Sequence, residues 1–280
     1  MKILMIGAHQ DDSEFRAGGL ARKYVEMGYE VRFLSLTNGG AGHQSMSFAE
    51  TVAVRAKESA KVAEILGIRY DVWDVDDGTL MPTLENRHRL IRYIREFAPD
   101  LIFTHRPNDY HADHRATGQL VQDASYLLIV PNVCPDAPAL RKTPVILYYE
   151  DRFTNPPFKG DIAMDIDSTI EYKYAISHAN VSQVYEWLAF TAGDEVPEGD
   201  EARYAWLVGE VKPDTTDEEL AKMPGAYGVR FAKTAARFRK ELIEKYGEDQ
   251  GTAIRFAEVF EISEYSGAIT EELKEKLFGF

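Results

Sequence analysis

Short apolar runs alternate with amphipathic segments along the first half of the chain. Residues 3–6 and 101–104 are continuous apolar runs of strand length, typical of strands buried on both faces of a parallel sheet. Between them, Leu90, Ile91 and Ile94 recur at helical spacing. This alternation predicts repeated β-α-β units, and therefore an α/β fold with a Rossmann-like, mostly parallel sheet and helices on both faces.

The second half of the chain is less regular. After Lys173 the pattern becomes mostly helical, with a loop around residues 212–216, and no Pro- or Gly-rich linker interrupts it. We therefore expect residues 1–280 to form one domain, in which residues from about 190 make a mainly helical C-terminal extension. Further strands are predicted at residues 31–36, 71–75, 145–149 and 162–166.

Composition narrows the classes of function. The 280 residues carry a formal net charge of −14, which argues against a nucleic-acid partner because the phosphate backbone requires a basic surface. No stretch of about 20 apolar residues predicts a membrane span, and the N-terminus lacks the pattern of a signal peptide. The single cysteine, Cys134, cannot form an internal disulfide. We expect a cytoplasmic protein, and the sequence leaves its oligomeric state open, a homo-oligomer included.

A first group of chemically active side chains follows the first predicted strand. His9, Asp11 and Asp12 lie where that strand ends and a helix begins. In open α/β sheets, ligands bind beyond the carboxyl ends of the strands, and an imidazole with two carboxylates suits a divalent metal such as zinc. Alternatively, Asp11 and Asp12 cap the helix and complement its dipole.

A second group follows the strand at residues 101–104. Three of the chain's 7 histidines, His105, His111 and His114, fall within ten residues there, and Asp113 lies where it could orient one imidazole. A polar, solvated loop is the alternative. The first strand of a doubly wound sheet often neighbours the strand that begins the second half, so the two groups are expected to meet at the switch point.

The residues of these two groups resemble the motifs of a known family, the LmbE/PIG-L-type zinc-dependent de-N-acetylases. Residues 8–14, A-H-Q-D-D-S-E, match the family pattern A-H-P-D-D-x-E, and residues 111–114, H-A-D-H, match H-x-D-H. Residues 37–42 match a T-x-G-x-x-G loop, and Arg55 with Glu58 match an R-x-x-E helix. The resemblance covers roughly the first two-thirds of the chain.

The resemblance implies a hydrolase site around a metal ion. His9, Asp12 and His114 would be the metal ligands, and Asp11 would be the general base that takes a proton from water. The implied cofactor is Zn²⁺, and Fe²⁺ or another divalent ion stays open because two imidazoles and a carboxylate admit several metals.

The resemblance also implies roles around the substrate. His111, oriented by Asp113, would stabilise the oxyanion and assist the leaving amine. The implied substrate is a small amide, an N-acetyl sugar derivative above all. Contacts to it are expected from Arg55, Asn38, Asp109 and His178.

Three positions depart from the family pattern. Gln10 replaces the usual proline, and Arg16 replaces a glycine, so that a large cation either alters substrate choice near the cleft or points to solvent. The Ser182-Gln183 pair lies two residues later than in the family, so a packed or surface histidine is the alternative for His178.

Two other functions compete with deacetylation. The same site would serve an amidase acting on a different small amide, such as a thiol conjugate. A sugar- or nucleotide-binding α/β module without turnover is the third reading, and the Gly-rich residues 39–42 lack the Lys-Ser/Thr of a phosphate-binding loop.

Overall fold

The computed structural model describes residues 1–212 and 214–280, so Pro213, inside the loop predicted at residues 212–216, lies outside the described residues. A 3-10 turn follows the fourth helix, and a π-helical turn occupies Ser182–Trp187. The strands are β1 Lys2–Gly7, β2 Glu30–Ser35, β3 Arg69–Val72, β4 Leu101–Thr104, β5 Val145–Tyr149, β6 Ile162–Asp165 and β7 Ala257–Ile262. The helices are α1 Asp12–Glu26, α2 Phe48–Leu66, α3 Leu84–Phe97, α4 Ala112–Ser125, α5 Ile170–Ala179, α6 Leu188–Ala192, α7 Asp200–Val208, α8 Asp217–Lys222, α9 Tyr227–Arg237, α10 Arg239–Tyr246, α11 Glu248–Ala253 and α12 Glu271–Phe278.

The described strands form one seven-stranded sheet in the order β3-β2-β1-β4-β5-β7-β6. The first five strands pair in parallel, which confirms the predicted α/β, mostly parallel architecture. β1 lies beside β4, with Met5 opposite Phe103, so the carboxyl ends of these two strands are neighbours at the switch point. The two sequence groups therefore converge as predicted.

The sheet is covered on both faces, as the apolar strands require. Alternate residues of β1 enter different cores: Ile3 and Met5 pack on one face, and Leu4 and Ile6 on the other. All four side chains are fully buried. Because successive side chains of a strand point to opposite faces, only a continuous apolar run fits this position.

Most predicted helices begin and end where their capping residues indicate. In α2, the Ser47 hydroxyl accepts from the Glu50 backbone N–H, and Gly67 ends the helix at a φ of 73°. Within residues 1–212 and 214–280, no helix combines the length and apolar character that a membrane crossing requires.

The C-terminal half corrects the sequence prediction at the sheet edge. The extension beyond residue 190 is mainly helical, but it contributes β7, which pairs antiparallel with both β5 and β6. The sequence did not predict this six-residue strand because two of its residues are glutamates, which interrupt the apolar run. Glu258 is nevertheless buried, since its charge is neutralised by Lys173. β3 also begins two residues before the predicted start at residue 71.

Candidate metal and substrate site

The turn between β1 and α1 and the first residue of that helix carry three side chains of the candidate site: His9, Asp11 and Asp12. At Gly7, an added Cβ would lie 2.8 Å from the Cβ of Asp12, so only glycine permits so tight a turn there. Asp11 is the N-cap of α1 and has a φ of 118°, a conformation that L-residues rarely adopt. Strained backbone of this kind concentrates at functional sites.

Asp12, the first residue of α1, is held by donors on one side. Its Oδ2 atom accepts from the backbone N–H groups of Ala8 and His9 at 2.9 and 2.8 Å, and lies 3.0 Å from His105 Nε2. Its Oδ1 atom lies 3.3 Å from His114 Nε2. Oδ2 is thus occupied by the two backbone N–H groups and His105, whereas Oδ1 faces His114.

His9 lies between the two loops. Its Nδ1 atom is 3.3 Å from His114 Nε2 and 3.7 Å from Asp12 Oδ2. Its Nε2 atom is 3.0 Å from Asp77 Oδ1 and 3.3 Å from Asp113 Oδ2. A carboxylate that receives the Nε2 hydrogen leaves Nδ1 as the nitrogen with a free lone pair.

His114, in the first turn of α4, has the same arrangement. Its Nδ1 atom lies 3.0 Å from Asp109 Oδ1, so Nε2 is left to face His9 and Asp12. Its ring stacks on His105, with 4.0 Å between the ring centroids. A carboxylate on the second nitrogen is the usual support of a metal-ligating imidazole.

These donors fit a divalent cation. Ligands of a tetrahedral zinc lie about 3.4 Å from one another, given metal–ligand bonds of about 2.1 Å. The free nitrogens of His9 and His114 lie 3.3 Å apart. The Asp12 carboxylate lies at similar distances, with Oδ1 3.3 Å from His114 Nε2 and Oδ2 3.7 Å from His9 Nδ1. Nitrogen and oxygen donors suit zinc and several other divalent ions. Three overlapping sets of donor atoms within 4.8 Å form here: His9, His111 and His114; Asp12, His105 and His114; His9, Asp77 and Asp113.

The carboxylates around His9 and His114 also favour a positive charge at the cluster. Burial lowers the pKa of His9, but Asp113, Asp77 and Asp12 together raise that pKa to about 10. Burial likewise opposes protonation of His114, whereas Asp12 and Asp109 raise its pKa to about 9. The carboxylates thus hold protons on both imidazoles, and a cation would release those protons on binding.

Asp12 and His105 titrate in the opposite sense. Burial raises the pKa of Asp12, but His114 and His105 hold it well below its usual range. Burial and the positive charge of His114 lower the pKa of His105 to about 4, so His105 is neutral and acts as a hydrogen-bonding support.

Asp11 differs from Asp12 in both position and charge. Burial raises the pKa of Asp11 to about 6, although the Arg55 guanidinium lowers it. Arg55 Nη2 lies 3.1 Å from Asp11 Oδ2 and also donates to the Gln10 carbonyl. Behind it, burial and the charge of Asp11 raise the pKa of Glu14 to about 8. A carboxylate that titrates near neutral pH is suited to accept a proton.

His111 is the N-cap of α4, and its Nδ1 atom accepts from the Asp113 backbone N–H at 3.1 Å. The sequence predicted that Asp113 orients His111, but only the backbone N–H of Asp113 contacts that imidazole, and its carboxylate does not. Asp113 instead accepts from the Gly78 and Leu80 backbone N–H groups and lies beside His9. Sequence proximity suggested the His111 contact, whereas the fold turns the carboxylate toward the loop after β3.

Three residues that were predicted to contact substrate have other contacts in the structure. Asp109 supports His114, and the Asn38 side-chain amide donates to Asp76 and accepts from the Asp77 backbone N–H, so both position the cluster. His178 lies away from it, with Nδ1 2.7 Å from the Tyr185 hydroxyl and Nε2 3.2 Å from Asp200. Arg55 does line the cavity at the cluster.

A cavity of about 390 Å³ opens over these side chains. His9, Asp11, Asp12, His111 and His114 lie in its floor. Its opposite wall comes from the π-helical turn and α6, which sequence reasoning did not assign to the site: Gln183, Trp187, Leu188 and Thr191.

Sequence reasoning also left two supports of the cluster without a role. His105 was visible only as one histidine among three, and Asp77 only as part of an acidic turn. His105 directly follows β4, and Asp77 lies in the loop after β3. These places were the signal, since parallel strands bring their carboxyl ends to one edge.

The fold and the cluster together define an α/β protein with a metal-binding type of site at the switch point of its sheet. Residues 4–125 match the family described as PIG-L, GlcNAc-PI de-N-acetylase. This match confirms the resemblance seen in the motifs, over residues 4–125.

Two curated relatives and one solved structure extend this match. The chain is 26% identical over 196 residues to the 4-oxalmesaconate hydratase of Pseudomonas putida, which covers 67% of this chain and 76% of that protein. It is 32% identical over 137 residues to the diacetylchitobiose deacetylase of Thermococcus kodakarensis, covering 47% of this chain and 51% of that protein. The structure of N,N'-diacetylchitobiose deacetylase from Pyrococcus horikoshii matches with a TM-score of 0.66 at 22% identity, covering 94% of this chain and 84% of that one.

Proposed function

We propose that this chain is a metal-dependent hydrolase that removes an acetyl group from an N-acetylated amino sugar or a related small amide. The observation that carries the proposal is the 3.3 to 3.7 Å spacing of donor atoms from His9, Asp12 and His114, with a carboxylate behind each imidazole. The PIG-L match over residues 4–125 and the deacetylase relative support the acetyl group.

In this proposal, His9, Asp12 and His114 hold the cation. When bound, a divalent cation supplies Lewis-acid chemistry that lowers the pKa of water and polarises an amide carbonyl. Zinc fits the nitrogen and oxygen donors, and Fe²⁺ is the competing ion. Asp77 and Asp109 keep the two imidazoles in the tautomers that leave His9 Nδ1 and His114 Nε2 unprotonated.

Asp11 takes the proton from the attacking water. Arg55 engages its Oδ2 atom, and the carboxylate lines the cavity floor. As the amide bond breaks, the proton held at Asp11 is available to the leaving nitrogen, which departs as a neutral amine.

His111 faces the developing charge. Because Nδ1 accepts from the Asp113 backbone, the hydrogen of the neutral ring lies on Nε2, which donates to the oxyanion. Burial together with the charges of His9 and His114 lowers the pKa of His111, in keeping with a neutral donor. Arg55, in the cavity wall, adds a substrate contact. Residues 1–280 act as one domain, since both halves of the chain share one sheet and line one cavity.

The test is acetate release from N-acetylglucosamine derivatives by zinc-loaded protein and by Asp11→Asn. Asparagine tolerates the positive φ at position 11, so the variant keeps its fold and its zinc. We expect activity to fall by about 1,000-fold, within the range for loss of a general base. Asp74→Asn, at a carboxylate paired with Arg89 away from the cavity, is the matched control. Full activity in Asp11→Asn would exclude the base assignment.

A second candidate is hydration of an unsaturated carboxylic acid. The hydratase relative aligns over a larger share of both chains than the deacetylase relative does. In that reaction Asp11 would take the proton of the added water, and His111 would deliver one to carbon. Loss of the absorbance of a conjugated substrate without acetate release distinguishes it from deacetylation.

A further inference from the structure

A second cavity, of about 500 Å³, adjoins the candidate active site. Leu188 lines both cavities. Arg16, in the wall of the second cavity, follows Asp12 by one turn of α1, about 6 Å along the helix axis. A molecule whose reacting bond lies at the cluster therefore has this second cavity within reach. We name it the basic cavity for its cationic lining: Arg16, Arg152, Lys173, Arg230 and Lys233.

The charge of the basic cavity is opposite to that of the whole protein. Its five cationic side chains face two carboxylates, Glu150 and Glu258, so its formal charge is +3 in a chain of net charge −14. Concentrated charge in a cleft raises the local concentration of ligands of opposite sign. Such a cavity is expected to attract anions.

The two carboxylates are already engaged by other partners. Glu258 pairs with the buried Lys173 at 2.5 Å. Glu150 is shared between Arg16 at 3.1 Å and Arg237 at 2.5 Å. Two of the five lining cations, Arg16 and Lys173, are therefore largely neutralised, and the excess positive charge resides on the other three.

That excess lies on Lys233, which donates to the Met223 carbonyl, and on two arginines, Arg152 and Arg230. Both arginine side chains are exposed, and neither has a carboxylate partner among residues 1–212 and 214–280. The Arg230 guanidinium lies 5.1 Å from the ring centroid of Tyr227. Two guanidinium groups free to form bidentate hydrogen bonds are the usual receptors for carboxylate and phosphate.

Tyr227 provides an independent observation. It lines the same cavity and is 5% exposed, and its hydroxyl has no hydrogen-bond partner within the described part of the chain. Its ring packs on Phe15, which follows the Asp11–Asp12 pair on α1. Because buried hydroxyls are nearly always hydrogen-bonded, this one points to a ligand that brings an acceptor oxygen.

We propose that the basic cavity binds an anionic group of the substrate, a carboxylate or a phosphate, while the amide lies at the His9–Asp12–His114 cluster. This inference rests on the proposed function and names its substrate class: acidic N-acyl compounds, favoured over neutral ones. Arg152 and Arg230 bind the anionic oxygens, and the Tyr227 hydroxyl donates to one of them.

The experiment compares N-acetylglucosamine with its 6-phosphate and with N-acetylmuramic acid, which carries a carboxylate, on zinc-loaded protein. We expect kcat/KM for at least one acidic compound to exceed that for the neutral sugar by tenfold or more, and the two acidic arms distinguish phosphate from carboxylate. In Arg230→Gln and Arg152→Gln that preference falls by about tenfold. Arg141→Gln, at an exposed arginine outside the cavity, keeps it.

A second measurement separates failure of this inference from failure of the proposed function. Calorimetric titration of the three acetylated compounds into metal-free wild type and metal-free Arg230→Gln reports binding without turnover, because the proposed hydrolysis requires the cation. If no compound releases acetate, the proposed function fails, and tenfold weaker binding of an acidic compound by Arg230→Gln still supports the anion site. If acetate is released with equal efficiency from neutral and acidic compounds, or if Arg230→Gln binds the acidic ones as tightly as wild type, the inference is overturned and the hydrolase stands.

Discussion

Residues 1–125 and residues 126–280 contribute different kinds of side chain to the same cleft. The first part supplies the floor, where imidazoles and carboxylates contact one another at 3.0 to 3.7 Å. The second part supplies walls: Trp187 and Leu188 over the cluster, and Arg152 and Arg230 beside it. The floor is a network in which each group fixes the next, whereas the walls are exposed or half-buried side chains with few partners.

This difference implies that the floor and the walls have different functions. Substitutions in the floor are expected to change metal binding and the chemical step, and substitutions in the walls to change which substrate is bound. The first part matches the PIG-L family over residues 4–125, whereas Arg152, Trp187, Leu188 and Arg230 lie beyond that range. Relatives that share the floor can therefore differ in reaction, as the hydratase and the deacetylase do by name.

The strongest test of the floor is Asp12→Ala. Loss of this carboxylate removes one metal ligand and leaves His105 and two backbone N–H groups without their acceptor. We expect zinc content to fall below a tenth of the protein concentration and acetate release to fall by more than about 1,000-fold. Elemental analysis and the acetate assay measure both, with Asp74→Ala as the control. Stoichiometric zinc in Asp12→Ala would refute the ligand assignment.

The packing of the second part on α1 is tested by Lys173→Met, because Glu258, the partner of Lys173, also contacts α1. Lys173 on α5 and Glu258 on β7 are each at most 3% exposed and pair at 2.5 Å, while Glu258 also accepts from the Gly19 and Leu20 backbone N–H groups. Leaving this buried carboxylate without its cation is expected to lower the free energy of unfolding by about 3–5 kcal/mol, measured by urea denaturation.

Lys276→Met provides the comparison, because Lys276 and Glu272 form an exposed pair on α12. Exposed pairs contribute about 1 kcal/mol or less. Adding Glu258→Gln to Lys173→Met should recover part of the lost stability. Equal losses in Lys173→Met and Lys276→Met would show that the buried pair contributes no more to stability than the exposed one.

A smaller effect is expected when a support of the floor is weakened. Asp109→Asn removes the negative charge from the Nδ1 side of His114 but keeps the shape of the side chain. Loss of such a support typically weakens metal affinity by about 10- to 100-fold, which competition with a chromophoric chelator measures. Asp136→Asn, at an exposed carboxylate paired with Arg92, controls for charge alone. Unchanged affinity would place Asp109 at the substrate, as its sequence context predicted.

The smallest effect is expected in the wall. Trp187→Ala removes an aromatic face from the cavity and should raise KM by about threefold to tenfold, since such contacts contribute about 0.5–1.5 kcal/mol. Zinc affinity should stay within twofold of wild type. Phe190→Ala is the control, because Phe190 packs 6.2 Å from Trp187 but lies outside the cavity lining. A change in zinc affinity in Trp187→Ala would show that this wall residue also affects metal binding, contrary to the proposed roles of floor and wall.

The floor was largely predictable because its residues follow strand ends. The apolar runs of β1 and β4 indicated buried neighbouring strands, and the side chains after them were therefore expected to meet. His9, Asp11, Asp12, His111 and His114 do line one cavity.

The support of each floor residue was not predictable in the same way. Asp113 lies two positions from His111 yet contacts His9, 104 positions away. Asp77 reaches His9 from the loop after β3, and Glu258 reaches Lys173 from a strand that its own residues did not reveal. These contacts depend on how loops and edge strands pack, and no local period records such packing.

Local physics determined the elements, since strand burial, helix caps and the tight turn at Gly7 depend on neighbours within a few residues. It also determined that two His/Asp groups would meet, because parallel strands carry their ends to one edge. Contacts between residues more than 100 positions apart decided which nitrogen of each imidazole is free, which carboxylate holds it, and which walls face the cluster. Those contacts form only when the whole sheet is assembled, because the energy of each depends on the burial that all the others provide.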